Sequence, residues 1–215
     1  MSIVNESISE SIDIWDKFIE SRFLVQMQNG SLPKDSFCKY IIQDSLYLRD
    51  YIRCYSYALI KSESLKHMQF FSSSINYIND SENSTRLKYL KDFNLTDNDI
   101  DKMEKTEECK NYTEFLLNIA KYKDVPSILM SVLPCMLGYN YVFEKISKRS
   151  PNLLYGYYSP LIGEYISEEY LKVGKEWTNF TDDLCKNFSF DKKKDLKTIF
   201  RNASIHELLF WEMLL

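Results

Sequence analysis

Pro33 opens a run that continues to Ile60 with no further proline and no glycine. Along it Phe37, Tyr40, Ile41, Tyr47, Leu48, Tyr51, Tyr55 and Leu59 recur at helical spacing. They cover too wide an arc for a helix with one face in water. The run therefore reads as a long central helix, over 33–60, that other helices must surround. The rest of the chain keeps the same period. Ile8, Ile12, Trp15 and Ile19 mark a first amphipathic helix to about residue 23, and Asn29-Gly30 ends that segment. Further helices are expected over 64–78, 112–122, 126–148, 161–186 and 192–214. The polar segment 79–109 reads as a loop with one short helix after the N-cap Thr96, and the Tyr-rich 151–160 as a second loop. With 5 Gly and 5 Pro in 215 residues there is little turn chemistry for a sandwich or barrel. The expected fold is all-α, about seven or eight helices in a single-domain bundle over 1–215.

Hydrophobic residues make up 45% of the chain, ample for one core, but 16 tyrosines bring phenol hydroxyls that need partners when buried. A net charge of −4 argues against nucleic acid as a partner. The one basic run, Lys192-Lys193-Lys194, is flanked by Asp191 and Asp195 and reads as a solvated turn. The 5 cysteines are odd in number and form no C-x-x-C pair, which fits free thiols in a reducing compartment, and so a cytoplasmic protein. The N-terminal stretch lacks the basic and apolar regions of a signal peptide. The most apolar window, 128–137, is broken by Ser131 and Pro134 and is short of the roughly twenty residues of a membrane span.

That window carries the first candidate for chemistry. Proline inside a helix removes one hydrogen bond, crowds the carbonyl four residues back and costs roughly 3 kcal/mol. At Pro134 the crowded carbonyl is that of Met130, and the expected kink opens space beside Cys135, with Tyr139 one turn on. Two readings of Cys135 stand at this point. An unpaired cysteine is commonly a small buried hydrophobe. It can also be a nucleophile at the end of a pocket, and with 2 histidines and no Cys-His pairing its base would have to be a carboxylate. Asp44 lies on the apolar side of the central helix with Tyr47 and Tyr51 following at helical spacing. Glu207 lies in the apolar stretch Ala203–Trp211, where desolvation would raise its pKa toward acid–base use. Either carboxyl alone also fits a satisfied structural group. Glu63 with His67, and His206 beside Glu207, fall short of the repeated Glu-x-x-His pairs of a di-iron site, and haem would need a dedicated proximal ligand.

Taken together the residues resemble the TenA/thiaminase II family, whose fold is haem-oxygenase-like and all-helical. Phe37-x-x-Tyr40-Ile41-x-Gln43-Asp44-x-x-Tyr47-Leu48, Leu133-Pro134-Cys135-x-x-x-Tyr139, Ile162-x-x-Tyr165-x-Ser167-x-Glu169-Tyr170 and Glu207-x-x-Phe210-Trp211-Glu212-Met213 follow its signatures in order, across nearly the whole chain. One departure is Leu161, where the family usually has tryptophan. The resemblance implies a pyrimidine pocket. Members hydrolyse aminomethyl-pyrimidine to hydroxymethyl-pyrimidine and ammonia in thiamin salvage, and many cleave thiamin. By motif, Cys135 would add to the ring, Glu207 would serve as acid and base, and Asp44 would hold the ring nitrogen and exocyclic amine. Tyr47, Tyr139 and Tyr165 would shape the pocket, and Tyr165 and Tyr112 would bond Glu207 or substrate. The same resemblance implies no cofactor or metal, and a homotetramer. A non-catalytic pyrimidine binder or regulator on this fold is the alternative.

Overall fold

The computed structural model describes residues 2–213, which form twelve α-helices, a π-turn over Ile78–Glu82, a 3-10 turn over Pro151–Tyr155 and, among the described residues, no strand. The expected all-helical fold is the observed one. The helices are α1 (Ile3–Glu10), α2 (Ile12–Glu20), α3 (Arg22–Asn29), α4 (Lys34–Ile60), α5 (Leu65–Tyr77), α6 (Asn83–Asp92), α7 (Asp97–Ile100), α8 (Glu107–Tyr122), α9 (Val125–Arg149), α10 (Ser159–Tyr165), α11 (Glu168–Cys185) and α12 (Phe190–Glu212). Helices α4, α8, α9 and α12 pack on one another at the centre. The remaining helices cover them: α1 and α2 lie on α12, α5 on α4, and α10 and α11 on α9.

The expected first helix is three helices. The chain leaves helical geometry at Ser11 (φ −112°, ψ 7°) and at Ser21 (φ −56°, ψ 139°). Serine gives up a helix easily because its hydroxyl competes for backbone groups. Between those two breaks α2 turns Trp15 and Phe18 fully into the core. Trp15 Nε1 donates to Ser204 Oγ on α12 at 2.9 Å. Phe18 lies so close to α9 that a Cβ on Gly138 would stand 3.3 Å from its ring, so glycine is what lets the two helices meet.

The segment 79–109 corrects the sequence reading more deeply. Thr96 does cap a short helix, with a reciprocal bond to Asp99 that forms a capping box. But the residues before it form α6, closed by Asn94 in the left-handed region (φ 55°), with Leu95 N–H donating to Leu90 O at 2.8 Å. A run of Asn, Ser and Lys has weak helix periodicity, so packing of Tyr89 and Leu90 into the core decides the matter. Likewise the expected helix over 161–186 is α10 and α11, parted at Ile166 and recapped by Ser167. The expected closing helix is α12, capped by Ser189, and its expected last residue, Leu214, lies outside the described residues.

Helix α9 runs through Pro134 without ending. Its bounds are close to the expected 126–148, but its apolar stretch is longer than the window 128–137: over 18 residues it is apolar enough to cross a membrane, yet 72% of those residues are buried inside the protein. It is the core helix. Several phenols find backbone partners, as a buried core requires. Tyr51 donates to Val132 O at 3.2 Å, Tyr170 to Met136 O at 2.9 Å and Tyr89 to Tyr157 O at 2.9 Å. The first two tie α4 and α11 to α9 on either side of Pro134.

Candidate functional site

Five helices deliver the seven expected site residues to one place: Asp44 and Tyr47 from α4, Tyr112 from α8, Cys135 and Tyr139 from α9, Tyr165 from α10 and Glu207 from α12. Gln43 explains why α4 and α8 are in register. Its Nε2 donates to Glu104 O at 3.1 Å and its Oε1 accepts from Thr106 N–H at 2.9 Å, which fixes the start of α8 and so the height of Tyr112.

Glu207 is the hub. Its side chain is 2% exposed, and the Tyr112 hydroxyl donates to its Oε1 at 2.8 Å. The Cys135 thiol makes a side-chain hydrogen bond to the same carboxyl. Burial, against the pull of these two bonds and with the charge of nearby Asp44, pushes Glu207 up to about 8, so the group is mostly protonated at neutral pH. Asp44 is pushed up to about 7, first by burial and then by the Glu164 carboxyl, with Arg86 opposing. Cys135 and Asp44, 9% and 8% exposed, are the most accessible of the seven. Tyr139 faces both carboxyls, its hydroxyl accepts from Tyr40 at 3.4 Å, and its ring lies 4.8 Å from that of Tyr165. The motif's Trp211 stacks on Tyr40 at 5.6 Å and backs Tyr139 at 4.8 Å, so it is a packed wall. Leu161 is buried beside Ile162.

Tyr47 packs its ring 5.0 Å from that of Tyr112 and 5.8 Å from that of Phe210. His206 stacks on Tyr112 at 5.4 Å with the rings 3° apart, and burial keeps it neutral. It therefore braces the phenol. Among the described residues no group of three or more His, Cys, Asp and Glu side chains could hold a metal. All five cysteines are free thiols. Those of Cys54, Cys109 and Cys185 are pushed up to about 12, in each case chiefly by burial.

Sequence reasoning missed two groups around Asp44. Arg86 sits in the segment taken for a loop, and Glu164 occupies an unassigned position of the Ile162-x-x-Tyr165 pattern. A carboxyl directly before a motif tyrosine was the available signal for Glu164.

A thiol, two carboxyls with raised pKa values and a ring of phenols meet in one buried centre inside the helical bundle. The chain belongs to the TENA/THI-4/PQQC family, whose family model matches residues 9–215. It is 28% identical over 200 residues to a Helicobacter pylori protein named aminopyrimidine aminohydrolase, covering 93% of this chain and 92% of that one. It is 26% identical over 213 residues to the aminopyrimidine aminohydrolase of Halalkalibacterium halodurans, covering 99% and 95%. Among solved structures it superposes on a TenA homologue from P. horikoshii OT3 with a TM-score of 0.86 at 27% identity, covering 100% and 98% of the two chains.

Proposed function

We propose that this protein is a hydrolase of thiamin-derived aminopyrimidines, converting 4-amino-5-aminomethyl-2-methylpyrimidine and water to the hydroxymethyl pyrimidine and ammonia, with thiaminase II activity on thiamin, in thiamin salvage. The observation that carries the reading is the Glu207 carboxyl hydrogen-bonded by both Tyr112 and Cys135 in a buried site. The names of the two hydrolase relatives support it.

In this reading the minor fraction of Glu207 that is ionised at neutral pH takes the Cys135 proton as the sulfur adds to a pyrimidine ring carbon. The electron pair moves to a ring nitrogen, which takes a proton from Asp44. Ring addition breaks aromaticity and lets the amine leave the exocyclic methylene, carrying the proton that Glu207 returns. Water then adds to the methylene and gives its proton to Glu207. The sulfur departs and is reprotonated by Glu207, the ring nitrogen returns its proton to Asp44, and the alcohol is released. Thiamin loses neutral thiazole at the same carbon and needs no proton for departure, so Glu207 releases the thiol proton to solvent before it takes that of the attacking water. Asp44 pairs with the ring nitrogen and exocyclic amine, Tyr47 and Tyr165 bond or wall the substrate, Tyr139 aligns Asp44, and Tyr112 holds Glu207. A cytoplasmic location and a homotetramer go with this reading. The free thiols support the former.

The test is ammonia and alcohol release from the aminomethyl pyrimidine beside alcohol release from thiamin. Both products should form in equal amounts. Tight pyrimidine binding with no turnover would leave the non-catalytic alternative. Asp44→Asn adds a second arm. Its amide can still pair with the aminopyrimidine edge but cannot give up a proton, so kcat should fall by roughly 10²–10⁴-fold with KM little changed. Unchanged kinetics would make Asp44 structural.

A further inference from the structure

Helix α4 holds the start of α8 at two levels about two turns apart, through Gln43 and through Asp50. At the first level Gln43 grips Glu104 O and Thr106 N–H, and its own carbonyl accepts from the Cys109 thiol at 3.7 Å. At the second level the Asp50 carboxyl meets the Lys105 ammonium in an ion pair whose side chains are 4% and 25% exposed. Lys105 Nζ also donates to Thr113 Oγ1 on α8 at 2.9 Å, and that hydroxyl donates onward to Lys110 O at 3.1 Å. Tyr47 lies between Gln43 and Asp50 on the same face of α4, and its ring is 5.0 Å from that of Tyr112. Tyr112 is the residue before Thr113, and its hydroxyl donates to Glu207 Oε1 at 2.8 Å.

The second tie does more than pack two helices. A buried ion pair is a weak source of net stability, because desolvation offsets much of its attraction. What it supplies is one defined geometry. A hydrophobe at position 113 would pack on α4 without demanding a register, whereas the buried Thr113 hydroxyl is satisfied by a lysine held in one place. A hydrogen bond as short as that from Tyr112 to Glu207 needs such a register, since it weakens steeply as its donor turns away.

We propose that Lys105 is a positioning residue for Tyr112: by joining Asp50 to Thr113 it keeps the Tyr112 hydroxyl on the Glu207 carboxyl. The consequence for turnover rests on the hydrolase reading, but the contact does not. Arg53 also pairs with Asp50, so that carboxyl keeps a cation when Lys105 is replaced. The Tyr112 bond favours the charged form of Glu207, so a Tyr112 that drifts away raises the pKa of Glu207. The other titratable groups that bear on Glu207 are Asp44 and Tyr47 on α4 and Cys135 and Tyr139 on α9, with His206 next to it on α12. Replacing Lys105 or Thr113 alters none of them.

The experiment follows the Glu207 side-chain carbon by ¹³C NMR through its titration, in the ligand-free protein. Parent, Lys105→Met, Lys105→Arg, Thr113→Val, Tyr112→Phe and the double variant Thr113→Val with Tyr112→Phe are compared. Tyr112→Phe should raise the Glu207 titration by on the order of one unit, and Lys105→Met and Thr113→Val by part of that. Lys105→Arg should return toward the parent. Thr113→Val keeps the lysine charge, so its shift cannot come from a lost distant attraction. On the Tyr112→Phe background it should shift nothing further. Where the parent hydrolyses aminopyrimidine, kcat should fall several-fold in Thr113→Val with KM little changed, and no further on the Tyr112→Phe background. A Glu207 titration unmoved in Thr113→Val, or moved as much without the Tyr112 hydroxyl as with it, overturns the proposal. If the titrations move as stated while the parent turns over no pyrimidine, the proposal stands and the hydrolase reading falls.

Discussion

Cys135→Ser should turn over aminopyrimidine at least about 10³-fold more slowly than the parent while unfolding at nearly the same denaturant concentration. The two halves of this expectation have separate causes. A hydroxyl at neutral pH is a far weaker adduct-forming nucleophile than a thiol, and no neighbouring imidazole is there to activate it. The fold should barely notice, because Ser is close to Cys in volume and the Glu207 carboxyl already beside Cys135 gives the new hydroxyl an acceptor. Pro134 belongs to the same account. It leaves α9 without one backbone donor in the turn before the thiol, yet the helix persists because core packing and the ties from Tyr51 and Tyr170 hold it. Steady-state ammonia release and urea unfolding, run on the same preparations, check both halves. A variant that keeps parental turnover would return Cys135 to the role of a packed hydrophobe.

Glu207→Gln should also disable catalysis, but unlike Cys135→Ser it should raise stability at alkaline pH. Loss of a general acid–base typically costs roughly 10²–10⁴-fold in rate. The sign of the stability effect follows from the raised pKa. Glu207 moves from an ordinary 4.5 to about 8 on folding. Below about 4.5 it is protonated in both folded and unfolded chains and carries no penalty. Between about 4.5 and 8 the unfolded chain has released the proton while the folded one still holds it, so stability is lost as pH rises through that window. Asp44 and Glu164, each raised to about 7, act in the same direction. The parent should therefore weaken between about pH 4 and 8, and Glu207→Gln should be the more stable protein at pH 8 by on the order of a few kcal/mol. The Gln oxygen can still accept from Tyr112. Urea unfolding at pH 5 and pH 8 measures the difference. A gap between variant and parent that is the same at both pH values would mean that Glu207 titrates normally.

How much of this could be read without coordinates follows from which signals are local. The central helix α4 and the core helix α9 were legible because broad apolar periodicity is written in adjacent residues. So were Thr96 and Ser64 as places where helices begin, since a cap needs only its own side chain and the amide three residues on. Ser11 and Ser21 were not legible as breaks, because the apolar period runs straight across them and only the docking of Trp15 and Phe18 on α9 and α12 requires the turn. Helix α6 was hidden for the converse reason: its polar sequence has little period of its own, and its burial is supplied by the neighbours of Tyr89. Six of the seven site residues lie in the motifs; Tyr112 lies outside them, and its bond to Glu207 joins it to the rest. Arg86 and Glu164 were beyond reach: Arg86 meets Ser45 only through the packing of α6 on α4, and Glu164 arrives with α10, which packs on α6.

The central claim is that one thiol among five is chemically distinct because it faces the pyrimidine, and mild alkylation with peptide mass spectrometry tests it most directly. Cys38, the most accessible, should label without loss of activity, while Cys54, Cys109 and Cys185 should stay unmodified in their apolar surroundings. Modification of Cys135 should track the loss of turnover in proportion, and added hydroxymethyl pyrimidine should slow both together by the same factor. Inactivation that follows any other cysteine, or Cys135 labelling that bound pyrimidine leaves unchanged, would contradict the account.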